Sequence, residues 1–323
     1  MKYFKTLGYM GIIAMAISLL SSCKEKKDDI VIDFGDTSKA IINFDGSLLT
    51  AVDNYQIRYD DQGRITRITS IYDGNLFEIN YKTGKAMIYG DEAKIMFNND
   101  GYITELSSSW NEKEYPYQYI GETEILFKYD KEGYLTGINS FTEETEINLE
   151  YKDSYTDRSY VEGTLTWSQG NLIETSYKVK EFGDNREMIE EHPISYDNTA
   201  NKFLQYPIFM SSIIISDEPF NIMAAIGLFG KGPANLPAVI KNIYRLDSDV
   251  MEIWINCSFE LNSNGSINTE TLENIETIQY SYSPIDTKAL QGSYYQDYSS
   301  DTRSFRLRNL FKRRYQPSIF EKP

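Results

Sequence analysis

The chain has 323 residues, with 48 acidic against 32 basic side chains and a formal charge of −16. That much negative charge repels phosphate backbones and anionic lipid, which excludes nucleic acid as a partner and electrostatic adhesion as a membrane anchor. A single histidine, His192, excludes histidine-based triads and multi-histidine metal sites, and two cysteines cannot staple a fold of this length.

Residues 1–22 read as an export signal. Lys2 and Lys5 open it, and Leu7 to Leu20 is an apolar stretch too short to span a bilayer, which takes roughly 20 residues. Leu20-Ser21-Ser22-Cys23 follows: a branched apolar residue, two small residues that admit a peptidase, and a thiol that can carry diacylglycerol. This is the lipobox of bacterial lipoprotein signals, so Cys23 is expected to be lipidated and to hold the mature protein to a membrane. Residues 23–39 read as a tether. Its Lys24-Glu25-Lys26-Lys27-Asp28-Asp29 has no apolar side chain and resembles the tag that sends lipoproteins to the surface of Bacteroidota-type envelopes, or is a plain spacer.

Residues 40–286 read as an all-β domain, a long antiparallel meander forming a curved or half-open barrel. Runs of Tyr, Ile, Thr and Phe are punctuated by turn signals such as Phe44-Asp45-Gly46, Lys82-Thr83-Gly84-Lys85 and Ser168-Gln169-Gly170-Asn171. A repeat rides on this rhythm: Tyr59 to Ile68, Phe97 to Leu106 and Tyr129 to Ile138. Each reads aromatic, Asp/Asn, two variable, Gly, variable, Ile/Leu, Thr, variable, Ile/Leu. Leu261 to Asn268 is a degraded fourth copy. Asp or Asn opens the turn and Gly takes the positive φ that closes it. The two apolar residues after the turn stand three apart, so either a bulge follows the turn or both faces are partly covered. The spacing places the motif on alternate hairpins at one end of a sheet, with about four strands per interval.

Beyond about residue 186 the rhythm breaks. Asn201 to Ile215 and Phe220 to Phe229 predict one or two short helices near 201–230 that plug an open end of the sheet, and strands resume at Ala238 to Tyr244, Val250 to Leu261 and Ile275 to Tyr282. Cys257, with Cys23 given to lipid, is expected to be a buried free thiol. Residues 287–323 form a tail that is basic over 303–322, where Arg303, Arg306, Arg308, Lys312, Arg313, Arg314 and Lys322 stand against Glu321, and it is read as a partly helical segment or a disordered end.

The hairpin motif resembles the YD repeats of Rhs-type surface and toxin proteins. More of the chain, about residues 40–283, resembles a Bacteroidota lipoprotein family of unknown function with a porin-like β fold. That family combines a lipobox, Tyr-Asp-x-x-Gly-Arg-Ile/Leu hairpins and a later Gly-Lys…Asn-Leu-Pro element, here Gly227 to Pro237. The resemblance implies a fold and an outer-membrane envelope location, and no activity. The basic tail falls outside the pattern.

Candidate chemistry is sparse. Gly227 to Gly232 fails as a nucleotide loop, because Ala225 holds its first glycine position and Gly232 its Ser/Thr position. Glu260 to Ile267 fails as a calcium loop, with Glu260 replacing the first Asp and Thr271 the closing Glu. No cofactor, metal or nucleotide is expected. His192 sits in Glu190-Glu191-His192-Pro193, read as a polar strand end, and Glu143, Glu144 and Glu146 as a solvated one. Tyr115, Tyr117 and Tyr119 alternate, placing their rings on one sheet face near Trp110. These four residues are the candidate ligand-binding set, with a core or cross-strand ladder as the alternative.

The expected function is therefore a non-enzymatic, lipid-anchored binding protein for a glycan or a protein. The alternatives are a structural or assembly component of an envelope complex that pairs through sheet edges, and a carboxylate-dependent glycoside hydrolase. Too many strand positions are charged for a pore.

Overall fold

The computed structural model describes residues 37–285, except 73, 84, 183–186, 216–217 and 247–248. The export signal, Cys23, most of the tether and the basic tail lie outside the described residues.

Sixteen antiparallel strands follow one another around a closed barrel. The first six are short: β1 (Ser47–Val52), β2 (Tyr55–Tyr59), β3 (Ile65–Ser70), β4 (Gly74–Asn80), β5 (Lys85–Ile88) and β6 (Asp91–Phe97). Six long strands follow: β7 (Ile103–Glu114), β8 (Tyr117–Tyr129), β9 (Leu135–Asn148), β10 (Asp153–Ser168), β11 (Asn171–Phe182) and β12 (Glu187–Ala200). The last four are β13 (Asn235–Leu246), β14 (Asp249–Leu261), β15 (Ile267–Leu272) and β16 (Glu276–Pro284). β16 pairs with β1, from Ser47↔Pro284 to Val52↔Tyr280, which closes the ring. The expected meander is thus observed, and its curvature runs to full closure.

The repeated hairpins behave as their residues dictate. Asp60 Oδ1 accepts the backbone N–H groups of Gln62 and Arg64, and Gly63 N–H returns to Asp60 O with φ at +76°. Asn98 and Asp130 repeat the arrangement for the second and third copies. In each copy a bulge falls where the aromatic meets the first apolar residue: Tyr59↔Ile65, Phe97↔Ile103 and Tyr129↔Leu135. The extra residue brings both apolar positions to the inside, so Ile65 and Ile68, Ile103 and Leu106, and Leu135 and Ile138 are all buried. All four copies turn at the same end of the barrel. The interval from Gly63 to Gly101 holds four strands as expected, whereas that from Gly101 to Gly133 holds only the two long strands β7 and β8.

Between β12 and β13 the chain folds into the barrel. Two short helices, α1 (Ile208–Ile214) and α2 (Glu218–Ala225), and the loop to Ala234 carry an almost wholly apolar surface. Phe220, Met223, Ala225, Leu228 and Phe229 are buried against inward residues of the strands, with the Phe127 and Phe229 rings 4.8 Å apart. Burying each such side chain contributes on the order of 2 kcal/mol. Backbone bonds tie this plug to two repeat turns, Ile103 N–H to Leu228 O and Lys231 N–H to Gly133 O, and to the β10–β11 turn at the same end, Ala234 N–H to Gly170 O. The expected plug is thus observed, and it sits at the end where the repeats turn.

One inward side chain of the β15 strand is an acid. Continuing the fourth repeat copy by two residues puts Glu270 where the other copies have Ile68, Leu106 and Ile138. Glu270 is 0% exposed. Its carboxylate accepts Ile208 N–H at 2.9 Å, Phe209 N–H at 3.3 Å and the Tyr280 hydroxyl at 2.6 Å. Pro207, the N-cap of α1, makes no side-chain cap. Glu270 reaches from the wall to satisfy the orphan donors of that helix end, where a negative charge also meets the positive pole of the helix.

Charge lies outside and apolar surface inside. Outward ion pairs cross the strands at Arg67–Glu78, Lys94–Glu105, Lys180–Glu187 and Lys241–Glu252. Cys257 is half-buried on β14, less enclosed than expected, and burial pushes its thiol up to about 12.

Candidate ligand-binding surface

Strands β7 to β10 are longer than their neighbours and rise beyond them at the end opposite the plug. Among the described pairings, β6 leaves β7 at Ser108, and β11 covers β10 only from Arg158 onward. Above those points, among the described pairings, the four strands pair only with one another and form a wall whose register is unbroken.

Period-two alternation decides which side chains face inward. Phe127, Ile125 and Thr123 of β8 are buried, so Gly121, Tyr119 and Tyr117 continue the same face up the wall. Cross-strand register then assembles three inward rows: Trp110–Gly121–Glu144–Asp157, then Glu112–Tyr119–Glu146–Tyr155, then Glu114–Tyr117–Asn148–Asp153. The face is a ladder of rings between carboxylates, above a floor where the Thr123 and Thr142 hydroxyls meet at 2.8 Å.

The candidate residues separate into three kinds. Trp110 is 8% exposed. Its ring lies over Gly121, whose missing side chain makes the room: a Cβ there would stand 2.3 Å from Trp110 Cζ2. The indole N–H donates to Glu144 Oε2 at 3.1 Å. Trp110 thus forms the base of the wall, with one edge fixed. Tyr117 and Tyr119 are half-buried with ring centroids 6.3 Å apart, and they present their faces above it. Partial burial and the Glu146 and Glu114 carboxylates raise the Tyr119 hydroxyl, and that hydroxyl bonds Glu146. Tyr115 does not join them. It lies in the turn between β7 and β8, outside both strands and 79% exposed, so alternation does not carry its ring onto the shared face.

Tyr155 was not singled out from the sequence, and Glu144 was read with Glu143 and Glu146 as a solvated strand end. Tyr155 is reached only through the register of β10 with β9, which places it beside Glu146. Glu144 and Glu146 are half-buried members of this face, whereas Glu143 points outward to Arg158.

His192 was expected at a polar strand end and is instead inside β12, 1% exposed. Its Nδ1 lies 2.8 Å from Asn242 Oδ1 and its Nε2 2.9 Å from Glu190 Oε1, with Tyr177 and Tyr244 edge-on. The reason is period two again: Met188, Glu190, His192 and Ile194 share the inward face, and the ring fills core volume with Asn242 bonded at its Nδ1 and the Glu190 carboxylate beside its Nε2. Among the described residues no group of three or more His, Cys, Asp or Glu could hold a metal ion.

No family model matches this chain, and no curated protein is similar to it. Among the solved structures that match this chain are two porin-like proteins. A porin-like protein from Bacteroides vulgatus ATCC 8482 shares 14% identity over 73% of this chain and 98% of its own, with a TM-score of 0.47. A porin-like protein from Bacteroides uniformis ATCC 8492 shares 12% identity over 60% of this chain and 90% of its own, with a TM-score of 0.26.

Proposed function

We propose that this chain is a lipid-anchored envelope protein that binds a ligand without transforming it, the ligand being a glycan or a protein surface. The observation that carries this reading is the inward face of the wall. Tyr117, Tyr119 and Tyr155 offer ring faces that can stack on the C–H faces of sugars, and the interleaved Glu112, Glu146 and Asp157 offer acceptors for hydroxyl groups. A barrel filled by its own plug makes a rigid base for such a face. Charged pairs on the outside and an apolar core inside are the inverse of a transmembrane barrel, which supports anchoring by lipid on Cys23 and speaks against a pore.

The alternatives find less support. Assembly through sheet edges would use the margins that closure leaves among the described pairings, which lie on the wall and along β14 ahead of Cys257 on its β15 side. Hydrolysis needs two acids poised around a bond, while Glu144 is engaged by the Trp110 indole and Glu146 by the Tyr119 hydroxyl.

Titration of the mature protein with a panel of soluble envelope and host glycans, read by calorimetry, tests the binding reading. Tyr119→Ala and Tyr155→Ala should each weaken the best ligand about tenfold, a typical cost for one stacking ring. Unchanged affinity in both variants would sink the wall as the site. Cys23→Ala should release the protein from the membrane fraction; full retention would refute lipid anchoring.

A further inference from the structure

We propose that the outer face of β2 to β4 is a second binding site, one that takes an acidic polysaccharide by its carboxylate or sulfate groups. This proposal does not rest on the wall. A cleft of 740 Å³ opens between the β2–β3 and β4–β5 turns, and Arg58, Arg64, Arg67 and Lys82 line it together with Asp60, Asp61 and Glu78. Such a gathering runs against the composition, because residues 37–285 hold 39 acidic and only 19 basic side chains.

Its centre is an opposed pair. Arg58 and Arg67 stand directly across from each other on the outward face of β2 and β3. Like charges so placed disfavour the pairing. Several direct pairs elsewhere on the outside match opposite charges, as at Arg158↔Glu143 and Lys180↔Glu187. Two acids meeting, as Glu122 and Glu143 do, follows from the composition; two arginines meeting does not. An anion between the two guanidinium groups turns that repulsion into attraction.

The acids of the cleft hold the arginines in place. Asp60 Oδ1 is taken by two turn N–H groups, and its Oδ2 by Arg64 Nε at 2.8 Å and Nη2 at 2.7 Å. The Arg64 guanidinium also lies 4.0 Å over the Tyr81 ring, which fixes its plane. Glu78 bonds Arg67 through Oε1 and the Asn75 amide through Oε2. The result is a set of oriented forks on a rigid sheet, suited to planar carboxylates and to sulfate esters. A cleft of this size admits a sugar residue bearing such a group.

The test is calorimetry on the mature protein with polygalacturonate, dextran sulfate and neutral dextran at low salt. Saturable binding of at least one polyanion, none of neutral dextran, and steep weakening with added salt are expected. The carboxylate and sulfate arms identify which group is taken. Arg58→Gln should weaken binding about tenfold, as loss of a charge-assisted fork does, with an unchanged melting temperature showing that the variant still folds. Lys180→Gln, away from the cleft, and Tyr119→Ala, on the wall, should bind as wild type. The proposal is overturned if neither polyanion binds, if Arg58→Gln binds as well as wild type, or if Lys180→Gln loses as much as Arg58→Gln.

Discussion

Replacing Glu270 by Gln should change how the stability of the barrel depends on pH. Burial pushes this carboxyl from its ordinary 4.5 up to about 7, against the lowering effect of its bonds from Tyr280, Phe209 and Ile208, with Glu276 adding to the rise. Between those two values the folded protein holds a proton that the unfolded chain has released. Stability from this group is therefore greatest below pH 4.5 and is lost as pH rises through about 7. A rise of that size corresponds to about 3 kcal/mol across the window. Gln keeps the volume and one carbonyl acceptor for the α1 N–H groups but has no proton to lose. Urea denaturation of both proteins at several pH values from 4 to 8 isolates the effect, since every other carboxylate cancels in the difference. The variant should be the less stable at pH 4, by about 1 kcal/mol for one weakened bond, and should gain about 3 kcal/mol relative to wild type by pH 8. Parallel stability curves would refute the idea that Glu270 enters the fold as a buried titrating cap.

Two further substitutions probe the packing. Gly121→Ala should destabilise by about 1–3 kcal/mol and alter tryptophan emission, because the new Cβ would meet both Trp110 and Glu143 O, and a neutral outcome in both readouts would argue against the ring lying over that glycine. Gly63→Ala and Gly227→Ala separate strain from crowding: both sites have positive φ, but nothing lies near a Cβ at Gly63, whereas Ala40 O is 2.3 Å from one at Gly227. Denaturation should show roughly 1 kcal/mol lost at Gly63 and clearly more at Gly227; equal losses would contradict the close approach of the plug to Ala40.

What could be read from the sequence was whatever is encoded locally. Asp60 with Gly63, and their counterparts in the later copies, specify a turn and its bulge within ten residues, so hairpins, strand class and the end at which the repeats turn were all legible. The apolar, irregular stretch from Asn201 to Phe229 announced the plug because no exposed segment of that composition would be stable. Closure was not legible, since it depends on Ser47 meeting Pro284, and no local pattern reports that pairing. The wall was hidden for the same reason. Its extent depends on where neighbouring strands stop, and Tyr155 joins Tyr119 only through two successive registers. His192 misled because its sequence neighbours are polar, although alternate residues Met188 and Ile194 carried the opposite message. Glu270 had a signal that went unread: an acid in the apolar slot of a repeat.

The seam between β1 and β16 sets the order of events when this chain folds. It joins residues more than 200 positions apart, the costliest loop closure in the molecule. β1 meets β2 through only two register pairs, Ala51↔Gln56 and Val52↔Tyr55, so it is held chiefly by the strand it finds last. A sheet wrapping around its own plug and latching at β1 would fold slowly. It would also breathe first at that latch, where amide protons of β1 should exchange ahead of those in β8 and β9.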